Sequence, residues 1–502
     1  MLKANFWDKI VMAVSPGSGL KRLKNRERIQ TLAKRHGGFE GAKPGRDDGS
    51  WSNPMHSSNN SEINAALPYL RQRSKDLWRN NPYINNAIRR IANNVIGSGI
   101  LPSPKAGTPE QQARIKAAWE QWAESSACDF YGRLNFYGLQ KLVMKTVAKT
   151  GDCFIRIIRT QFQRGKIALQ LQVIDAELID QTKTLETYNS QTGYTQNGIE
   201  YDRFGRVVAY WVFDRHPNEF AVCQSVRIPA SEMLHAFVVE DPGQTHGLPF
   251  VTPSMIRVKD LDMFEDAQLV RQKTAACFTG FIEDENGDGS GKDMELDALE
   301  PGRIENLPPG KKITFSAPPD AGLAYDSYTK NVLRGVAAGI GTSYEVLTND
   351  LSNVNFSSGR MGWIEFHKNV EEWQWQMIVP MFCEKVWDLF ITACSFALIL
   401  DFDTNIKASW TAPRREMIDP DKESKALTEL VRAGFVSWTA AVKSLGENPD
   451  DVLEEMRKEK ARFDELGLKL SSDPRYDANR PQDPAAADDP DDGEQAGIDL
   501  RK

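Results

Sequence analysis

Any chemistry in this 502-residue chain has to come from a few polar clusters, and the fullest of them is acidic. Asp284, Asn286, Asp288, Gly289 and Glu295 satisfy D-x-[DN]-x-[DN]-G-x5-E, the spacing with which an EF-hand loop wraps oxygen ligands around calcium. Against that reading, Gly291 takes the eighth position where an apolar residue is usual, Lys292 replaces an oxygen ligand, and Pro301 leaves little room for an exiting helix. The segment reads as a solvated acidic loop, and no metal site is assigned. A phosphate-cradling G-x-x-x-x-G-K-[ST] loop is missing, since Gly310-Lys311-Lys312 lacks the earlier glycine and the hydroxyl residue. Gly97-Ser98-Gly99 is followed by Pro102 where a dinucleotide loop requires glycine. No H-E-x-x-H or G-x-S-x-G motif occurs, and His216, His235, His246 and His367 lie far apart and read as structural. Cys128, Cys153, Cys223, Cys277, Cys383 and Cys394 form no C-x-x-C pair and read as reduced thiols. The expectation is a chain without catalytic residues or cofactors, and not an enzyme.

Composition agrees with a folded protein that builds or binds. Hydrophobic residues make up 40% and charged residues 26%, within the globular range. The longest apolar stretch, Leu389 to Leu400, is interrupted by Thr392 and Ser395 and is shorter than the roughly 20 residues a spanning helix needs, so no membrane segment is expected. Lys3, Asn5, Asp8 and Lys9 interrupt the start where a secretory signal would be apolar, and a cytoplasmic origin is expected. A net charge of -7 is the wrong sign for a surface that grips phosphates everywhere, so contact with nucleic acid must be local or loose. Residues 1–62 read as a flexible basic arm, with Lys21, Arg22, Lys24, Arg26 and Arg28 at its centre. Residues 471–502, with Asp488, Asp489, Asp491 and Asp492, read as a disordered acidic tail.

Between the ends the fold class is α+β. Leu67, Leu70, Leu77, Ile84, Ile88, Ile91 and Val95 recur at helical spacing on either side of Asn81-Pro82, predicting two helices joined there. Further helices are expected around Trp119 and Val143, and a β-rich unit over 152–240 with a hairpin turn at Asp202-Arg203-Phe204-Gly205. Thr252-Pro253 is expected to cap and open a long helix reaching about Gly280. On it Ile256, Met263, Ala267, Val270, Thr274, Cys277 and Phe281 form a narrow seam that should face a partner helix. An acidic and Pro-rich excursion follows. The chain then returns on a helix from about Asp326, where Gly335, Ala337, Ala338, Gly339 and Gly341 permit tight helix contact. A polar connector leads to a helix that Ser357 or Ser358 should cap, that carries Trp363, Phe366, Val370, Trp373, Met377 and Met381 on its core face, and that should kink at Pro380. Shorter helices are expected at 420–433, 437–445 and 450–466.

Several phrases, in order, resemble the lambda family of tailed-phage portal proteins from about residue 65 to 465. They are Arg79-Asn80-Asn81-Pro82-Tyr83, Asn94 through Ile100, Gly151-Asp152, Gly198-Ile199-Glu200-Tyr201-Asp202, Ala209-Tyr210-Trp211, Pro242-Gly243-Gln244, and Asp350-Leu351 with Asn355-Phe356-Ser357-Ser358. His246 stands where arginine is expected after Pro-Gly-Gln, and Thr342-Ser343 replaces Val-Pro before Tyr344-Glu345. The resemblance implies a portal-type fold. Its parts would be a wing at 63–252, stem helices at 253–280 and 326–346, a clip at 281–325, a tunnel loop at 347–358, a long helix and wing return at 359–412, and a helical crown region at 413–470. It also implies a homo-oligomeric ring, usually of twelve copies, at one capsid vertex of the virion, assembled in the host cytoplasm. Its partners would be the terminase large subunit, a head-tail adaptor, the major capsid protein and scaffold, and duplex DNA passing without sequence readout.

The resemblance makes Asn349, Asp350, Leu351, Ser352, Asn353, Val354, Asn355 and Phe356 a DNA-channel segment, and Asp284, Glu285, Asn286 and Asp288 the docking tip of the clip. Lys330 and Arg334 either face DNA or pair with neighbours on a solvated helix face. The charge argument is independent of kinship: 349–356 contains no Lys or Arg, and a ring would multiply any cation placed there into a brake on a polyanion. The competing reading is another capsid-assembly or scaffold protein without a channel. A nucleotide-driven or nuclease enzyme is disfavoured by the missing motifs.

Overall fold

The computed structural model describes residues 58–105, 107–189, 193–219, 223–276, 280–284, 311–315, 322–352, 354–401 and 406–468. The chain divides into two units, Met1–Ala66 and Leu67–Lys502. Of the first, only 58–66 are described, as the opening turns of helix α1 (Asn59–Asn80). The basic arm and acidic tail fall outside the described residues apart from those turns.

The second unit is α+β, with many helices and several small antiparallel sheets. α1 ends at Asn81, whose side chain accepts the Ile84 N–H at 3.1 Å and caps α2 (Pro82–Ile96), so the expected break at Asn81-Pro82 is present. The apolar stripe of α2, Ile84, Ile88, Ile91 and Val95, is fully buried against α4 (Phe136–Thr150). α3 (Pro109–Ala123) opens on a Thr108/Gln111 capping box and inserts Trp119 among Phe136, Trp387 and Phe390, ring centroids 4.9–5.2 Å apart. Such tilted and edge-on aromatic packing fixes orientation as well as burying area.

The β-rich unit contains two sheets. A three-stranded one places β2 (Asp152–Arg159) between β3 (Leu169–Ile174) and β9 (Met233–Phe237). A five-stranded meander runs β4 (Leu185–Asn189), β5 (Gly193–Gln196), β6 (Ile199–Tyr201), β7 (Val207–Phe213) and β8 (Ser225–Pro229), with the expected turn after Tyr201. Phe154, Ile174, Ile199, Tyr210, Val212 and Ile228 form their shared core. A further pair not foreseen joins β1 (Leu101–Pro104) to β12 (Ala408–Thr411) across some three hundred residues of chain.

The long helix α5 (Met255–Ala276) is preceded by a 3-10 turn at Thr252–Ser254. Thr252 does not cap it: its hydroxyl donates to the Pro249 carbonyl at 2.6 Å, and Val251 occupies the capping position without a side-chain bond. The expected seam is not the face that meets the next long helix of the chain. The face that meets α6 (Gly322–Ile340) is built on Ser254, Arg257 and Phe264, with Phe264 packed on Tyr325 and Tyr328 at 5.8 and 4.5 Å. Ile256, Met263 and Val270 are 75%, 61% and 61% exposed and point elsewhere. The cause is the glycine pair on α6: a Cβ at Gly339 would meet the Ser254 hydroxyl at 2.2 Å and one at Gly335 the Arg257 guanidinium at 2.5 Å. Backbone approach therefore selects the Ser254/Arg257 face, and the close contact expected of these small residues is present. Between the helices, β10 (Gly280–Asp284) pairs with β11 (Lys311–Phe315).

After α6, a short α7 (Tyr344–Thr348) leads to α8 (Phe356–Glu372), an eleven-residue π stretch at Trp373–Cys383, and α9 (Glu384–Phe396). The expected disturbance at Pro380 takes the form of this π stretch. Proline offers no N–H to an α register and crowds the carbonyl four residues back, and the wider i→i+5 turn relieves both. Phe366, Val370, Trp373 and Met377 are buried as expected. Helices α10 (Pro420–Arg432), α11 (Trp438–Ser444) and α12 (Pro449–Leu466) follow. Among the described residues, no helix is long and apolar enough to cross a membrane.

Candidate functional site

The connector between α7 and α8 is polar and held at both ends. Ser343 caps α7 by accepting the Val346 N–H at 3.3 Å, which gives the Thr342-Ser343 departure a local purpose. Asn349 ends α7 in the left-handed region, φ 57°, a conformation asparagine tolerates because its short polar side chain bonds locally. Arg90 donates to the Asn349 side-chain oxygen at 3.2 Å, and Asn86 of α2 donates to the Val346 and Leu347 carbonyls at 3.0 and 2.8 Å. Asp350 is the knot of the connector. Its carboxylate accepts the Ser352 hydroxyl at 2.5 Å, the Ser352 N–H at 3.0 Å and the Tyr344 hydroxyl at 2.9 Å, and these donors hold its pKa down at about 2.

Leu351 and Ser352 are exposed, Val354 is half-buried, and Asn353 lies outside the described residues. The cap of α8 is Asn355, which accepts the Ser358 N–H at 2.8 Å while its own N–H donates to the Ser358 hydroxyl at 3.2 Å. The expected serine cap is thus corrected: Ser358 is the second half of a capping box, one turn inside the helix, and Phe356 is its first helical residue.

The two candidate cations on α6 are both engaged. Lys330 donates to Asp326 at 2.9 Å one turn away, and Arg334 lies over the Tyr344 ring at 5.6 Å. Of the clip tip, Asp284 is the last residue of β10, opposite Lys311 in register, while Glu285, Asn286 and Asp288 lie outside the described residues, as do Gly289 and Glu295.

Folding also assembles a polar cluster that no spacing signalled. Asp152, the first residue of β2, is fully buried and accepts four donors. One oxygen takes His235 Nε2–H at 3.0 Å and the Gly247 N–H at 2.7 Å; the other takes the Arg71 guanidinium of α1 and His246 Nδ1–H at 2.8 Å. Arg71 also donates to the Thr150 carbonyl at 3.1 Å and the Ala176 carbonyl at 3.4 Å. One carboxylate thus faces one guanidinium, and two imidazole N–H groups complete its shell. Burial by itself would raise the Asp152 carboxyl, yet His246, His235 and Arg71 reverse that and hold it below its ordinary range. Burial pushes His235 down, against the opposing pull of Asp152.

Asp152, His235 and His246 present ligand atoms within 4.8 Å of one another, as a metal site does. The donor set argues against one. A cation there would sit against Arg71, and the carboxylate lone pairs are already taken. The cluster instead ties α1, β2, β9 and the loop at 246–247 together. In the sequence, Gly151-Asp152 and the histidine at 246 in place of arginine stand out singly, with nothing to join them.

The fold and these sites are now joined by kinship. A family model described as phage portal protein, lambda family, matches residues 44–374. This chain belongs to that family. Among its relatives, the probable portal protein of Halomonas phage phiHAP-1 is 28% identical over 432 residues, covering 80% of this chain and 81% of that protein. Portal protein B of Escherichia phage lambda is 23% identical over 509 residues, covering 88% and 92%. Among solved structures, a chain from the virion of a native gene transfer agent particle aligns over 76% of this chain and 94% of its own length, at 12% identity and a TM-score of 0.46. As a lambda-family portal protein, the chain carries its family match through α1 to α8 and the start of the π stretch, including the connector and the Asp152 cluster.

Proposed function

We propose that this portal-family chain assembles as a ring of twelve copies at a capsid vertex of the virion, after synthesis in the host cytoplasm. The ring acts as a conduit for duplex DNA during packaging and ejection and is not an enzyme. The family match over two-thirds of the chain carries the reading. Within it, α5 and α6 act as the stem, the segment around β10–β11 as the clip that docks the terminase large subunit and later the head-tail adaptor, and 349–356 as the tunnel loop. The wing would meet the major capsid protein and scaffold. A connector without lysine or arginine, whose aspartate is tied back to Tyr344, suits a wall that lets a polyanion slide.

Electron microscopy of the purified chain is the direct test. Rings with a central hole are expected; shells, filaments or monomers would leave the channel without support. Replacing the acidic Asp284, Glu285 and Asp288 by neutral residues, together with Asn286→Ala, should impair packaging or tail joining, and unchanged particle yield would remove the docking role of that tip.

A further inference from the structure

Away from the connector, a cavity of about 420 Å³ opens between the β2–β3 hairpin and the end of α9. Leu389, Ala393 and Phe396 form one wall and Phe162 the other, and Phe162 and Phe396 are 60% and 62% exposed. Arg159 and Lys166 line it and, among the described residues, no carboxylate does, in a chain whose net charge is -7. The Gly165 N–H donates to the Ala397 carbonyl at 3.1 Å, so the hairpin tip is pinned to the helix end and the walls are preformed. Beside it Leu398 is exposed in the left-handed region at φ 61°, where L side chains are uncommon.

A surface of matching chemistry exists on the same chain. From Pro449 to Met456, α12 carries Asp450, Asp451, Glu454 and Glu455 and no cation, and Leu453 and Met456, one turn apart, are 53% and 46% exposed. Asp451 pairs with Lys116 on α3, and Glu454 with Arg457 and Lys458 in its own helix, which leaves the Leu453/Met456 face outward.

The two surfaces cannot meet within one chain. Asn448 and Asp451, at the foot of α12, share a small cavity with Trp387 of α9. At about 100° per residue, Leu389, Ala393 and Phe396 project roughly 180–240° around α9 from Trp387. Groove and acidic helix therefore lie on opposite sides of the same helix, the arrangement a head-to-tail interface requires. We infer that the basic-rimmed groove between the β2–β3 hairpin and α9 receives the first two turns of α12 from a second copy of this chain. This inference rests on the ring reading and adds to it a specific contact between neighbours.

Two measurements on the full-length chain test it. With Phe396→Cys and Leu453→Cys combined, a short bismaleimide should give a ladder of covalent multimers on denaturing gels, absent from either single variant and from the unsubstituted chain. Arg159→Glu with Lys166→Glu should raise the concentration for half-assembly about tenfold or more, because like charges would then face each other across the contact. Adding Glu454→Lys and Glu455→Lys should restore it. All these positions are exposed or half-exposed, and unchanged circular dichroism would show that the fold survives. Rings that form equally well in the charge variants, with no ladder, overturn the groove while leaving the ring intact. An unsubstituted chain that stays monomeric overturns both.

Discussion

Replacing Asp152 by asparagine tests whether the buried cluster is a structural keystone. The substitution keeps shape and volume but removes the only negative charge opposite Arg71, which is buried and has two backbone carbonyls as its remaining acceptors. It also turns one acceptor oxygen into an NH2 group, which then faces donors from either the Arg71/His246 pair or the His235/Gly247 pair. Removing one partner of a buried, hydrogen-bonded charge pair costs about 3–5 kcal/mol, mostly the penalty of the charge left behind. At about 1 °C per kcal/mol for a chain of this size, the thermal midpoint should fall by roughly 3–5 °C. Differential scanning fluorimetry of the purified variant reads that shift directly. Arg71→Met alone should cost a similar amount, but the double variant should cost less than the sum, because neither charge is then stranded. A midpoint within about 2 °C of the parent for Asp152→Asn, or strict additivity in the double variant, would refute the account of a charge pair buried at the junction of α1, β2 and β9.

The same cluster predicts a pH dependence. His235 has a folded pKa below the ordinary value of about 6.5, so the unfolded chain binds its proton first and stability falls as pH drops below about 6.5. Midpoints should therefore fall between pH 7.5 and 5.5, and His235→Gln should flatten that part of the curve. Because Arg71 occupies the carboxylate, a chelator or added zinc should leave the midpoint unchanged; a rise of several degrees with zinc would restore the metal reading. At the connector, Asn349→Val forces a β-branched residue into the left-handed region and should cost about 1–2 kcal/mol in unfolding titrations, whereas Asn349→Gly should cost only the Arg90 contact. Tyr344→Phe removes the hydroxyl donated to Asp350 and should speed proteolytic cleavage within 349–355 while moving the midpoint by no more than about 1 kcal/mol equivalent.

Much of the helical framework was legible because its signals are local. Asn81-Pro82 and the stripe from Ile84 to Val95 carry cap, proline and period within one stretch of chain. What failed was non-local or needed a choice among equals. Leu101–Pro104 contains two prolines and carries no strand signal, yet it forms an edge strand because Ala408–Thr411 arrives from the far end of the chain. The α8 cap is ambiguous in the sequence, since Asn355, Ser357 and Ser358 are all good capping residues and only backbone geometry selects the first over the serines. The seam on α5 was visible as a period, but which side α6 would cover depended on Gly335 and Gly339, far along the chain. The Asp152 cluster could not be assembled from the sequence for the same reason: Arg71, His235 and His246 are separated from Asp152 by 81, 83 and 94 residues, and none has a partner at motif distance.

The distribution of cations around the connector follows one logic. Duplex DNA binds through phosphate neutralisation, and the salt slope grows by about 0.9 for each phosphate contact made. In a ring, one free cation per chain becomes one per copy, so even a weak contact multiplies into a grip that would stall translocation. Among the described residues around the connector, three cations have an internal engagement: Lys330 with Asp326, Arg334 with the Tyr344 ring, Arg90 with Asn349. Exposed pairs of this kind add little to stability. Were α6 to face the channel, their effect would lie in the potential they leave behind: a lysine held by an aspartate one turn away would present a dipole to a phosphate, not a full charge. If 349–356 lines the channel as proposed, the Tyr344 and Ser352 donors on the two Asp350 oxygens would hold the one negative charge of the connector in a fixed, hydrogen-bonded position instead of on a free side chain.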